Sequence, residues 1–65
     1  MMIDVELHGG GGSVALLIPR SDTGRAWIED NLPHDAPRWG DGVAVEARYV
    51  AQIIDGMLGD GLAVE

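Results

Sequence analysis

Apolar and polar positions alternate in some stretches of this chain and recur every three to four residues in others. The two periods separate strands from helices. From Ile3 to His8 the alternation is strict, with Ile3, Val5 and Leu7 on one side and Asp4, Glu6 and His8 on the other. That is the pattern of a half-buried strand. Gly9 to Gly12 and Ser13 follow, and glycines supply the positive φ angles that a hairpin turn needs. Val14 to Ile18 is an unbroken apolar run stopped by Pro19. It suits a strand that is central or covered on both faces. The first two strands are expected to pair as an antiparallel hairpin.

The period then lengthens. Ser21 is placed to cap a helix with its hydroxyl, and Asp22 sits in the first turn, where the helix dipole favours an acid. The helix should end at Asn31 or Leu32, ahead of Pro33. On a helical projection Gly24, Trp27, Ile28, Asn31 and Leu32 share one side, opposite Asp22, Arg25, Ala26 and Glu29, with Asp30 at the boundary. Gly24 on the inward side would let the helix approach the sheet closely. Residues 33–42, PHDAPRWGDG, are expected to form a loop, punctuated by prolines, glycines and aspartates, with Trp39 plugging the edge of the core.

Val43 to Glu46 reads as a third strand with Val43 and Val45 inward, and a second helix should run from Ala47 to Leu58. Its apolar residues Tyr49, Val50, Ile53, Ile54, Met57 and Leu58 span almost half the circumference. An ordinary surface helix shows a stripe of about 100°. The segment from Gly42 to Val64 is therefore expected to organise the core, its helix being covered on more than one side or paired with a partner. Gly59-Asp60-Gly61 supplies a left-handed stop, and Leu62 to Val64 can return as a short edge strand. The pattern predicts a single α+β domain over residues 1–65, of order β-β-α-β-α. A small antiparallel three-stranded sheet would carry both helices on one face.

Composition limits what such a domain can do. A chain of 65 residues buries only about 60% of its unfolded surface, so a deep water-excluding site is hard to build. Cysteine is absent, which excludes disulfides and thiolate metal sites. No apolar run approaches the roughly 20 residues of a membrane span. The opening MMIDVELHGG has early acids and no basic stretch, unlike a secretory signal; a cytoplasmic location, in a bacterial host cell, is the expectation. Eleven acids face four arginines and no lysine, for a net charge of −7. Direct binding to nucleic acid is disfavoured, because phosphate contacts need basic clusters. Such a field attracts basic protein surfaces instead.

Motifs of catalysis do not assemble. The glycines after His8 are followed by neither a Gly-x-Ser-x-Gly elbow nor a Gly-Lys-Ser/Thr. His8 and His34, with Asp35 or Asp41, lack the spacing of a metal site. The pairs Glu29 with Asp30 and Asp35 with Asp41 have no evident source of the shifted pKa that acid–base work requires. No enzyme activity, cofactor or metal is expected. The acids matter more as a surface. Asp4 and Glu6, joined by Glu46, would point outward from the open sheet face at a spacing of about 6.6 Å. Glu29, Asp30, Asp35 and Asp41 form a second group around the end of the first helix and the loop after it. Spaced carboxylates can imitate phosphates and occupy a basic nucleic-acid channel; the plain alternative is a solvated face.

Three stretches carry a resemblance: W-I-x-x-N-L at Trp27–Leu32, V-E-x-R-Y-V at Val45–Val50 and G-M-x-x-D-G-L at Gly56–Leu62. Over residues 19–64 the chain is similar to small bacterial and phage-associated proteins without an established activity. Its size and acidity also resemble the anti-CRISPR proteins, in particular those directed at type I-C systems. That resemblance implies a non-enzymatic, monomeric inhibitor acting as a DNA mimic on a basic DNA-recognition groove of a Cascade subunit, with no direct contact to nucleic acid or membrane. It transfers no individual residues. The competing expectation is a housekeeping or assembly domain that forms a homodimer through the second helix, burying Ile54 and Leu58.

Overall fold

A computed structural model gives the structure of the protein and describes residues 2–9 and 12–65. Strands β1 (Val5–Gly9) and β2 (Val14–Pro19) precede helix α1 (Asp22–Asn31); β3 (Arg38–Trp39), β4 (Gly42–Glu46) and helix α2 (Ala47–Gly59) follow. The strands form one antiparallel sheet in the order β1-β2-β4-β3. The α+β class and the three expected strands are present, with β2 in the interior of the sheet. Of the expected glycine turn, Gly10 and Gly11 lie outside the described residues.

The fourth strand corrects the expected loop at 33–42. Trp39 pairs with Gly42 around a two-residue turn of Gly40 and Asp41, and Gly40 has a φ of 59°. A glycine at the first central position is what a tight type II′ hairpin requires. Two residues of strand carry too little alternation to be read from sequence. Trp39 is also not the expected plug. It is 73% exposed on the outer strand, and Leu32 and Ala36 pack against that edge of the core instead.

Cross-strand register decides which side each residue takes. Val5, Leu17 and Val43 fall on one face and pack with Ile28 of α1, Met57 of α2 and Leu62. Both helices therefore cover the same face, as expected. Gly24 lets α1 lie directly on the chain entering β1: a Cβ there would come within 2.1 Å of the Asp4 carbonyl oxygen. Ser21 caps α1 as its sequence position implied, its Oγ accepting the Gly24 N–H at 3.0 Å.

Helix α2 is less central than its periodicity suggested. Met57 is its single fully buried residue; Val50, Ile53 and Ile54 are half-buried, while Tyr49 and Leu58 are 47% and 54% exposed. A helix lying on a sheet that it shares with another helix buries only one stripe, however wide its apolar arc. The fully buried strand residues Val5, Leu17 and Val43 organise the core at least as much. The end of α2 is a Schellman motif: Leu62 N–H bonds to the Met57 carbonyl, Gly61 N–H bonds to that of Leu58, and Gly61 has a φ of 87°. This turn drops Leu62 into the core. The chain then runs parallel to β1, bridging Val64 to Val5, with Asp4 N–H on the Ala63 carbonyl at 2.9 Å and Glu65 N–H on that of Val5 at 3.1 Å. The expected C-terminal edge strand is thus a single bridge. Among the described residues, no helix is long and apolar enough to cross a membrane.

Candidate acidic interface

The eleven acids sort by what holds them. Asp4 lies just ahead of β1, with its carboxylate turned toward Ser21 and the C-terminal segment: Oδ1 accepts the Ser21 hydroxyl at 2.6 Å and Oδ2 the Ala63 N–H at 2.8 Å. These bonds, the Ser21 hydroxyl first, hold its pKa below the ordinary 3.8. Glu6, on the open sheet face, accepts Arg20 Nη2 at 2.6 Å and Nε at 2.9 Å, and its other oxygen lies 3.4 Å from His8 Nε2. Arg20 foremost, then His8, lowers its pKa below 4.5. The outward Asp4–Glu6 pair expected from strand alternation does not form, because Asp4 is bent into a fold-closing contact.

Three other acids are also engaged. Glu46 pairs with Arg48 at 2.6 Å and Asp22 with Arg25 at 3.5 Å. Asp60 accepts the Trp27 indole N–H at 2.7 Å. Among the described residues, Glu29, Asp30, Asp35, Asp41, Asp55 and Glu65 have neither a side-chain hydrogen bond nor an ion pair. Four of these are the group singled out at 29–41.

The elements place that group as follows. Glu29 and Asp30 occupy the last turn of α1, which carries no basic residue. Acids there oppose the helix dipole, whose carboxyl end favours cations. Next comes His34, its Nε2 3.0 Å from the Glu29 carbonyl oxygen. Glu29, Asp30, His34 and Arg38 line an open depression of about 520 Å³. By register Arg38 stands opposite Val43, on the helix-bearing side of the sheet, and it alone among the arginines has no carboxylate at ion-pair distance among the described residues. Asp35 is exposed in the loop and Asp41 is exposed at the β3–β4 turn; neither lines the depression. The structure therefore joins Glu29 with Asp30, leaves Asp35 and Asp41 exposed in the segment that follows, and holds Asp4 and Glu6 in contacts of their own.

Sequence reasoning missed Arg38 as a member of this surface, since only the β3–β4 pairing brings it back to the end of α1. It also missed that Leu16, Ile18 and Ala44 stand on the sheet face without helices. The unbroken run Val14–Ile18 was the available signal. Chemically, the two carboxyls with altered pKa, Asp4 and Glu6, are lowered, which suits ion pairing rather than proton donation. Among the described residues, no three of His, Asp and Glu are grouped to hold one metal ion. Comparison with family models, curated proteins and solved structures finds no match to this chain.

Proposed function

We propose that the protein is a non-enzymatic binding inhibitor whose acids at 29–41 occupy the basic nucleic-acid groove of a partner protein. One observation carries the reading: among the described residues Glu29 and Asp30 have no ion-pair partner at the helix end where the dipole disfavours them, and the exposed Asp35 and Asp41 follow in the same segment. The helix dipole disfavours this placement, whereas a cationic partner would neutralise it. The charge of −7 without a lysine adds long-range attraction toward such a partner. The likeness to anti-CRISPR proteins makes the DNA-recognition groove of a type I surveillance complex, type I-C in particular, the partner to test first. In this reading the protein acts inside the bacterial host cell, binds no nucleic acid itself and needs no cofactor.

The test is binding of the purified protein to that effector complex over a salt series. Affinity should fall steeply with salt, since exposed charges are screened over about 8 Å at physiological ionic strength. Binding that is unchanged between low and high salt contradicts the reading.

A further inference from the structure

Strand β4 has two edges, and its outer neighbour β3 covers only part of its length. The inner edge faces β2 through odd-numbered residues, a line continued by the Ala47 N–H on the Ser13 carbonyl at 2.7 Å. In such a ladder the even-numbered residues turn their backbone groups outward. Ala44 does so, its N–H donating to the Pro37 carbonyl at 2.9 Å. There the pairing with β3 stops, because proline has no N–H to return to the Ala44 carbonyl. The preceding residues turn away instead, with the Ala36 N–H on the Pro33 carbonyl at 3.1 Å. Among the described residues, the Ala44 carbonyl and the Glu46 N–H have no hydrogen-bond partner.

These two groups straddle Val45, and that spacing has a specific complement. In a parallel ladder, one residue of an incoming strand donates its N–H to the first group and accepts the second with its carbonyl oxygen. An antiparallel strand would need the Ala44 N–H, which Pro37 already holds. Space for the strand is present. Ala44, Val45 and Glu46 border an open depression of about 400 Å³, walled by Leu32 and Ala36 on one side and by Tyr49 and Ile53 of α2 on the other. Neighbouring residues of a strand point to opposite faces, so a hollow that touches both Ala44 and Val45 lies along the strand edge.

Charge narrows the occupant further. Asp35 is exposed in the segment that forms one wall and has no ion-pair partner among the described residues, while Glu46 is held by Arg48. A second copy of this chain would bring its own net charge of −7 to that wall. A cationic segment is attracted to it.

We infer that the β4 edge beyond Pro37 is a strand-addition site, taking an extended, basic segment of a partner protein in parallel register with Val45. An apolar side chain of that segment packs against Tyr49 and Ile53, and cationic residues flank it. The inference rests on the proposed function for the partner's charge; the backbone pairing is an observation of its own.

The test is a titration of the amide resonances with an acetylated, amidated peptide, Arg-Val-Arg-Val-Arg. Binding should saturate, shift the Glu46 amide and slow its hydrogen exchange, with further shifts at Val45, Tyr49 and Ile53. Glu46→Pro removes the outward N–H alone from the backbone. The native φ of −66° at Glu46 is the value proline requires, and its side chain makes no capping bond. The variant should therefore keep native dichroism and melting while binding the peptide about tenfold more weakly. Glu46→Ala loses the same carboxylate but keeps the N–H, and should bind within about twofold of native, since an exposed ion pair contributes little. The peptide methylated on both valine nitrogens loses its donor to Ala44 and should bind native protein about tenfold more weakly. A peptide that does not bind, or that leaves the Glu46 amide unmoved, overturns the inference. So does equal binding by Glu46→Pro and Glu46→Ala, or by the methylated peptide and its parent. Salt-dependent binding to the effector complex is measured separately, so the proposed function and the strand-addition site fail independently.

Discussion

Ser21 donates its hydroxyl to Asp4 Oδ1 at 2.6 Å, while the Ser21 Oγ itself accepts the Gly24 N–H at 3.0 Å. One serine thus caps α1 and fastens it to the chain entering β1. The other oxygen of Asp4 takes the Ala63 N–H, so a single carboxylate joins both ends of the described fold to the start of a helix. Its ionised form is the one these donors favour.

A pH dependence follows. Asp4 and Glu6 both have folded pKa values lowered from their ordinary 3.8 and 4.5. Above those ordinary values their full contribution to stability is present. As pH falls through them toward the lower folded values, the unfolded chain takes up protons first and the contribution is lost. Thermal melting followed from pH 7 to pH 2 should decline below about pH 4.5. In Asp4→Asn the melting temperature should be lower at neutral pH and the acid decline shallower. An equally steep decline in that variant contradicts the role given to Asp4.

Gly24 and Gly59 should respond in opposite directions to the same change. Gly24→Ala places a methyl within 2.1 Å of the Asp4 carbonyl oxygen, and overpacking against backbone costs about 1–3 kcal/mol or more. Gly59 has nothing within 4 Å of its would-be Cβ and no positive φ. Gly59→Ala should therefore stabilise by roughly 0.4–1 kcal/mol. Urea unfolding of both variants measures the pair.

The weight of the core lies in the sheet. Leu17→Ala, at a fully buried position, should cost about 2–5 kcal/mol, whereas Leu58→Ala, 54% exposed, should cost well under about 1 kcal/mol. Comparable losses from the two variants would restore α2 as the main organiser.

Gly42–Val64 did contain a strand and a strongly periodic helix, and Ser21, Gly24 and Gly61 act as their sequence positions imply. Those features are local: a cap, a close approach and a left-handed stop are each written in a few neighbouring residues. Trp39 was misjudged and Arg38 was missed because their surroundings depend on a two-residue strand pairing across a tight turn. Asp4 was misplaced for a related reason, since alternation alone does not reveal that Ala63 returns beside it. For the candidate interface, sequence supplied the residues Glu29, Asp30, Asp35 and Asp41. Only the fold separated them from acids already held by arginines, Ser21 or Trp27.

Arg38 stands beside Glu29 and Asp30 in their depression and tempers their field. Arg38→Ala should therefore strengthen binding to a basic groove. The gain should be several-fold at low salt and fade as salt is raised. Titration of the effector complex with both proteins checks it.

The central claim is that the acids at 29–41 block a DNA-binding partner, and a plasmid-interference assay tests it most directly. A type I-C host expressing the native protein should lose interference and accept the targeted plasmid. The variant Glu29→Lys, Asp30→Lys, Asp35→Lys, with native dichroism and melting, should restore interference. If that folded variant inhibits as well as the native protein, or if the native protein leaves interference intact, the account is wrong.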